Sequence, residues 1–186
     1  MQSLLEALRH RTEQSHRDLE RALQLESHLE SASAYSCLLE RFLGIYLPLE
    51  EKIGHYPQLV EYGYRMNERR KTPTLMRDLA SLGISSQKIE SLPQCPIEEL
   101  RSTGAALGCA YVLEGSTLGG QVITRMIQAN ARGLPTGFFN VYGSRTRDRW
   151  LEFTGTLRAY ETARHEFTDV EEGANSTFES FAQWLT

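Results

Sequence analysis

Two sets of residues in this chain have the types and spacing for chemistry. Thr12, His16 and Glu20 are four apart and stack as one stripe if the segment is helical. An imidazole so placed can bind a metal through one ring nitrogen. A carboxylate one turn on can hold the other nitrogen, directly or through water, fixing the tautomer and raising its basicity. A hydrogen-bonded core histidine is the alternative. The second set is Glu114-Gly115-Ser116-Thr117-Leu118-Gly119-Gly120-Gln121, where three glycines and two hydroxyls interrupt an apolar run from Cys109 to Gln128. Each interior glycine costs a helix about 1 kcal/mol relative to alanine. Without Cβ atoms the backbone itself can touch a flat or bulky ligand, and the helix can kink. Gly115 and Gly119 also have the spacing of a close helix crossing. The pattern matches neither a P-loop nor a dinucleotide fingerprint, and no β-branched run precedes it.

The elements that must position these residues all read as helices. Apolar residues at spacings of three and four predict a helix over 3–29, with Leu4, Leu5, Leu8, Thr12, Ser15 or His16, Leu19, Ala22 and Leu23 inward, Ser3 as cap and Glu6 in the first turn. Ser33 is placed to cap a second helix over 34–53, kinked at Pro48, with Leu38, Phe42, Ile45, Tyr46, Leu49 and Ile53 inward. The basic run Arg69-Arg70-Lys71 reads as a solvated helix end or loop, or else as a docking patch for an acidic partner. Thr74 begins a short helix that Gly83 ends. A central helix over 97–131 is broken at the glycines, and residues 132–143 are loop-like around Phe138, Phe139 and Tyr142. Ser144 opens a helix with Trp150, Phe153, Leu157 and Tyr160 inward. A last one from Asp169 presents Val170, Ala174, Phe178, Phe181 and Trp184. No stretch alternates long enough for a strand and no repeat is present, so the fold class is all-α, one domain over 1–186.

Composition excludes several classes. The formal net charge is −4, the hydrophobic fraction 40% and the charged fraction 24%, ordinary for a globular protein and unlike a general nucleic-acid binder. No apolar run approaches the ~20 residues of a membrane span, and the amphipathic start differs from a signal peptide. The expected setting is cytoplasmic. The three cysteines, Cys37, Cys95 and Cys109, fall in no ligand cluster and read as free thiols, with Cys37 and Cys109 on apolar helix faces.

One histidine on an inward stripe and a glycine-rich helix elsewhere suit a flat ligand held between two helices. Haem fits, since its iron takes one axial imidazole and its other face is shaped by what lies opposite. Leu8-Arg9, Thr12, His16 and Glu20, joined to Tyr111-Val-Leu-Glu-Gly115-Ser116-Thr117-Leu118-Gly119-Gly120-Gln121, resemble haem oxygenase, in particular the bacterial branch that accompanies bacteriophytochromes. Asp78-Leu79, Leu82-Gly83, Phe138-Phe139, Tyr142-Gly143, Trp150 and the stretch 178–184 add weaker matches over nearly the whole chain.

The resemblance implies a helical bundle with haem between a proximal N-terminal helix and a glycine-kinked distal one. His16 would be the axial ligand, Glu20 its partner and Thr12 a haem-facing neighbour. Gly115, Ser116, Gly119 and Gly120 would lie over the distal face, with Gly115, Ser116 and Gly119 in the catalytic role. Haem would be both cofactor and substrate, cleaved with O2 at a meso carbon to biliverdin, carbon monoxide and ferrous iron. Electrons would come from a ferredoxin, flavodoxin or reductase, and the biliverdin is suited to supply a phytochrome. Mammalian-type members carry an aspartate where this chain has Ser116, and the bacterial branch resembles this chain in having serine. A serine exchanges hydrogen bonds without supplying a negative charge. Arg9 matches a position where the family often has a basic residue for the haem propionates, although Glu13 is acidic where a lysine can occur. Arg145, Arg147 and Arg149 are further candidates, beside a Tyr142 that would close the open edge.

Three other readings share the fold. Glu13-x-x-His16 is half of a di-iron motif, but no second Glu-x-x-His exists: Glu161 to His165 and Glu51 to His55 are one residue too long. A non-catalytic haem carrier or sensor would need the same histidine and cleft. A metal-free thiaminase-like pocket would need a catalytic cysteine set beside a carboxylate, and none is recognisable.

Overall fold

The computed structural model describes residues 2–130, 133–164 and 167–185, and all regular structure in them is helical. Ala131 and Arg132, expected at the end of the central helix and the start of the loop, and His165 lie outside the described residues. The N-terminal helix α1 (Leu4–Leu23) starts as its sequence dictates. The Ser3 hydroxyl accepts the Glu6 N–H at 3.3 Å, while the Glu6 carboxylate accepts the Ser3 N–H at 3.0 Å. It is shorter than the expected helix over 3–29. Gln24 turns left-handed at φ 42°, and a four-residue α2 (Leu25–His28) follows.

The helix α3 (Ala32–Gly54) is capped by Ser31, whose hydroxyl accepts the Ala34 N–H at 3.0 Å; Ser33, the expected cap, lies inside the first turn. Pro48 sits within the helix, and the six apolar side chains expected inward are buried. Helix α4 (Thr72–Ser81) begins two residues before Thr74, and Gly83 at φ 86° leads the chain away. A short α5 (Ser86–Glu90), capped by Ser85, has no counterpart in the sequence reading. The central helix α6 (Thr103–Asn130) starts later than position 97 and is continuous through its glycines. A 3-10 turn, Gly143–Arg145, precedes α7 (Thr146–Ala163), and α8 (Thr168–Leu185) closes the described chain.

Helix α8 is the backing of the molecule, with both α6 and α1 packed along it. Its approach to α6 is close because small residues face each other. A Cβ on Gly108 would run into the Val170 carbonyl and the Ala174 nitrogen, and one on Gly173 would strike the Ala105 backbone. Val170, Ala174, Phe178, Phe181 and Leu185 are buried along α8. Trp184 is only half-buried, with its indole N–H donating to the Arg41 carbonyl at 2.8 Å. Cys109 is buried, but Cys37 is exposed, a correction to its expected place in the core. The segment before α7 is tied to the rest of the fold by hydrogen bonds. Asp78 accepts the Phe138 N–H at 2.7 Å, and the Tyr35 hydroxyl donates to the Pro135 carbonyl at 2.7 Å. Among the described residues no helix is long and apolar enough to cross a membrane.

Candidate functional site

Where α1 and α6 lean on α8 without filling the space between them, a half-open cavity of about 950 Å³ remains. Its size is at the upper end of ordinary small-molecule pockets. Helix α1 contributes Arg9, Thr12, His16 and Glu20 to its lining, α6 contributes Gly115 to Gly120, and α8 contributes Phe178, Phe181 and Leu185. Phe42 and Tyr46 of α3, with Phe138, Phe139 and Trp150, complete a mainly aromatic wall.

The stripe on α1 divides in two. Thr12 is buried, with its hydroxyl donating to the Leu8 carbonyl at 2.8 Å. His16 is not a core residue: its side chain is 55% exposed at the cavity margin, its ring edge-on to Phe178 with centroids 6.0 Å apart. Its Nδ1 lies 3.6 Å from a Glu20 carboxylate oxygen, beyond direct hydrogen-bond range and within reach of a bridging water. Nδ1 so oriented leaves Nε2 for a ligand.

The glycines of α6 differ in what they face. A Cβ on Gly119 would meet nothing within 4 Å, and one on Gly115 would touch only the Trp150 ring, at 3.9 Å. These two are not a helix crossing; they leave main chain as cavity wall. Gly120 instead abuts the Phe139 carbonyl. The Ser116 hydroxyl lies 2.8 Å from both the Leu113 carbonyl and the Tyr46 hydroxyl. A serine proton given to Leu113 makes Tyr46 the donor to Ser116. The Tyr46 phenol is pushed up to about 12 by burial, with the Ser116 bond and the Lys71 charge pulling the other way.

Not every expected residue comes to the cavity. Tyr142 does not line it; its hydroxyl donates to Glu114 at 3.1 Å and lies 3.4 Å from the Lys71 ammonium. Arg145, Arg147 and Arg149 are also absent from the lining. Arg149 is turned to Glu152 at 2.9 Å and to the Glu68 carbonyl at 2.8 Å. Arg9 does line it, and among the described residues no hydrogen bond or ion pair engages its guanidinium. Arg17, also lining, is held by Glu13 at 2.6 Å.

The basic run read as solvated is largely buried. Arg69 is 3% and Lys71 1% exposed, and both donate to the buried Glu114 at 2.8 Å. Lys71 reaches the cavity lining. The signal that could have found this cluster is Glu114, an acid within Tyr111-Val-Leu-Glu on an apolar helix. A carboxylate buried there requires a cation. Tyr46 was recognisable only as apolar, since nothing in the sequence links it to Ser116, seventy residues away.

The haem oxygenase family model matches residues 2–186. The chain belongs to the haem oxygenase family. It is similar to the haem oxygenase of Xanthomonas campestris pv. campestris (strain 8004), 29% identical over 159 residues, covering 84% of this chain and 90% of that one. No solved structure matches it significantly. As a haem oxygenase the protein is an enzyme that degrades haem. The cavity suits that substrate: aromatic and aliphatic side chains for a macrocycle, the imidazoles of His10 and His16 in its lining, and a wall of main chain. Among the described residues no three His, Cys, Asp or Glu side chains converge as a metal cluster, which the di-iron alternative would need.

Proposed function

We infer that the protein cleaves haem at a meso carbon to biliverdin, carbon monoxide and ferrous iron, with the haem seated in the cavity between α1 and α6. The observation that carries this reading is one cavity lined by His16 from one helix and by the bare backbone of Gly115 and Gly119 from another. Bound haem supplies the iron that takes up O2 and the porphyrin that is oxidised.

Each side chain then has a task. His16 would hold the haem iron through Nε2, with Glu20 beside Nδ1 fixing the ring. Thr12 and Phe178 fix the near surface on which the macrocycle rests. Gly115 and Gly119 would leave room for a small diatomic molecule on the opposite side. Ser116, which gives its proton to Leu113 and accepts from Tyr46, keeps a lone pair for an ordered water there without carrying charge. Arg9, a lining guanidinium that no hydrogen bond or ion pair engages among the described residues, is the cation for a propionate. Gly120 and Tyr142 act more remotely, the first by letting Phe139 close the cavity end and the second by holding Glu114. Electrons come from a separate ferredoxin, flavodoxin or reductase in the cytoplasm, and a phytochrome is a fitting recipient of the biliverdin.

The test is haemin added to the purified chain, followed by a reductant system in air. A Soret band saturating at one haem per chain and then decaying to biliverdin absorption with release of carbon monoxide is expected. A Soret band that persists with competent donors leaves a haem carrier and overturns turnover. His16→Ala should abolish the imidazole-ligated spectrum, and unchanged turnover in that variant contradicts the axial assignment.

A further inference from the structure

The cavity lining includes one buried charge that the reading above does not use. The Lys71 ammonium, 1% exposed, donates to Glu114 at 2.8 Å and to the Arg69 carbonyl at 3.0 Å. Around it stand Tyr46 and Glu50 of α3, Glu114 of α6, Tyr142 and Arg69, with Arg149 and Glu152 of α7 behind Arg69. Glu114 already accepts Arg69, and Glu50 is taken by the Lys71 N–H and the Thr72 hydroxyl. Of this cluster only Lys71 and Tyr46 reach the cavity. The cation therefore faces the ligand space while its carboxylates lie behind it. Burial works against the ammonium, but Glu114 and Tyr142 more than offset it and raise its pKa, so the charge persists at working pH.

We propose that Lys71 is a positioning residue whose fixed positive charge makes the Ser116 end of the cavity prefer anionic over neutral ligands on the bound iron. This rests on the reading that haem occupies the cavity with His16 as its axial ligand. Ser116 cannot supply charge, and a buried ammonium acts through a low-dielectric wall where water screens little. A cation near the Tyr46 phenol draws its oxygen and turns the O–H away, in the sense that donates to Ser116. An anion bound there competes with the Leu113 carbonyl for the single Ser116 proton. A Ser116 hydroxyl turned to it completes a row of donors, Tyr46 to Ser116 to ligand, aimed at negative charge, the arrangement that stabilises charge developing during reaction.

The experiment uses the full chain loaded with haemin: azide is titrated to the ferric form and carbon monoxide to the ferrous form, in the wild type, Lys71→Met and Lys71→Arg. Lys71→Met should weaken azide by about tenfold, leave carbon monoxide within roughly twofold, and keep the azide deficit in high salt, as a buried charge should. Lys71→Arg should restore azide binding. If Lys71→Met does not fold, Lys71→Gln keeps a hydrogen-bond donor toward Glu114 without the charge and carries the same expectation. Azide binding equal to the wild type, or azide and carbon monoxide weakened alike, overturns the proposal while the haem reading stands. Absence of a Soret band in the wild type overturns both.

Discussion

The two halves of α6 carry glycines at the same four-residue spacing and use them in opposite ways. Gly104 and Gly108 lie where α6 meets α8, and a Cβ on either would strike α8, at the Asp169 side chain or the Val170 and Ala174 backbone. Gly115 and Gly119, two turns on, face the cavity, where a Cβ on Gly115 would meet only the Trp150 ring at 3.9 Å and one on Gly119 nothing within 4 Å. In the first half a missing Cβ brings two helices together; in the second it keeps a wall low. The lesson is that glycine spacing identifies a surface that must be flat without saying what lies against it.

Glu114 stands at the junction of the halves, and breaking it should have the largest effect. Glu114→Gln leaves Arg69 and Lys71 without their shared buried carboxylate, and urea unfolding should show a loss of about 3–5 kcal/mol. A loss under 1 kcal/mol would mean that the pairs behave as surface ones. Gly108→Ala should come next, at about 1–3 kcal/mol, because α8 backbone atoms must move. Gly119→Leu sharpens the contrast. Its stability should be unchanged or higher by up to about 1 kcal/mol through helix propensity, while the bulk it adds fills the cavity. Equal stability losses at positions 108 and 119 would erase the distinction between the halves.

The smallest effect concerns pH. Burial raises the Glu50 carboxyl above its ordinary value of 4.5, against the opposing hydrogen bonds from Lys71 and Thr72. The folded state therefore binds this proton more tightly than the unfolded state. Through this group stability falls as pH rises across the window above 4.5 and recovers on acidification. Glu50→Gln can keep the Lys71 N–H bond, and its unfolding free energy should vary less steeply with pH across that window. An unchanged slope contradicts the assignment.

Much of this architecture is written locally. Ser3 and Glu6 mark the start of α1 by reciprocal hydrogen bonds, and the apolar periodicity of α8 finds Val170, Ala174, Phe178 and Phe181 while passing over Gly173, Thr177 and Leu185. The bare wall at Gly115 and Gly119 follows from glycine's own chemistry. What escaped depends on partners distant in sequence. Ser31 and Ser33 are equally able caps, and the choice between them is made by where the chain enters α3. Gln24 ends α1 with neither glycine nor proline to announce it. Arg69 and Lys71 look solvated until Glu114 is brought to them from more than forty residues away. Arg9 and Arg149 are alike in sequence, and only the fold turns one to the cavity and the other to Glu152.

The central claim is that the backbone wall of α6 and the imidazole of α1 enclose one haem. The most direct measurement is a haemin titration of the wild type beside Gly119→Leu, following the Soret band, with circular dichroism confirming equal helicity. The account predicts one-to-one saturation in the wild type and an affinity lower by about tenfold or more in the variant. Equal affinity and an identical Soret band in a folded Gly119→Leu would contradict it.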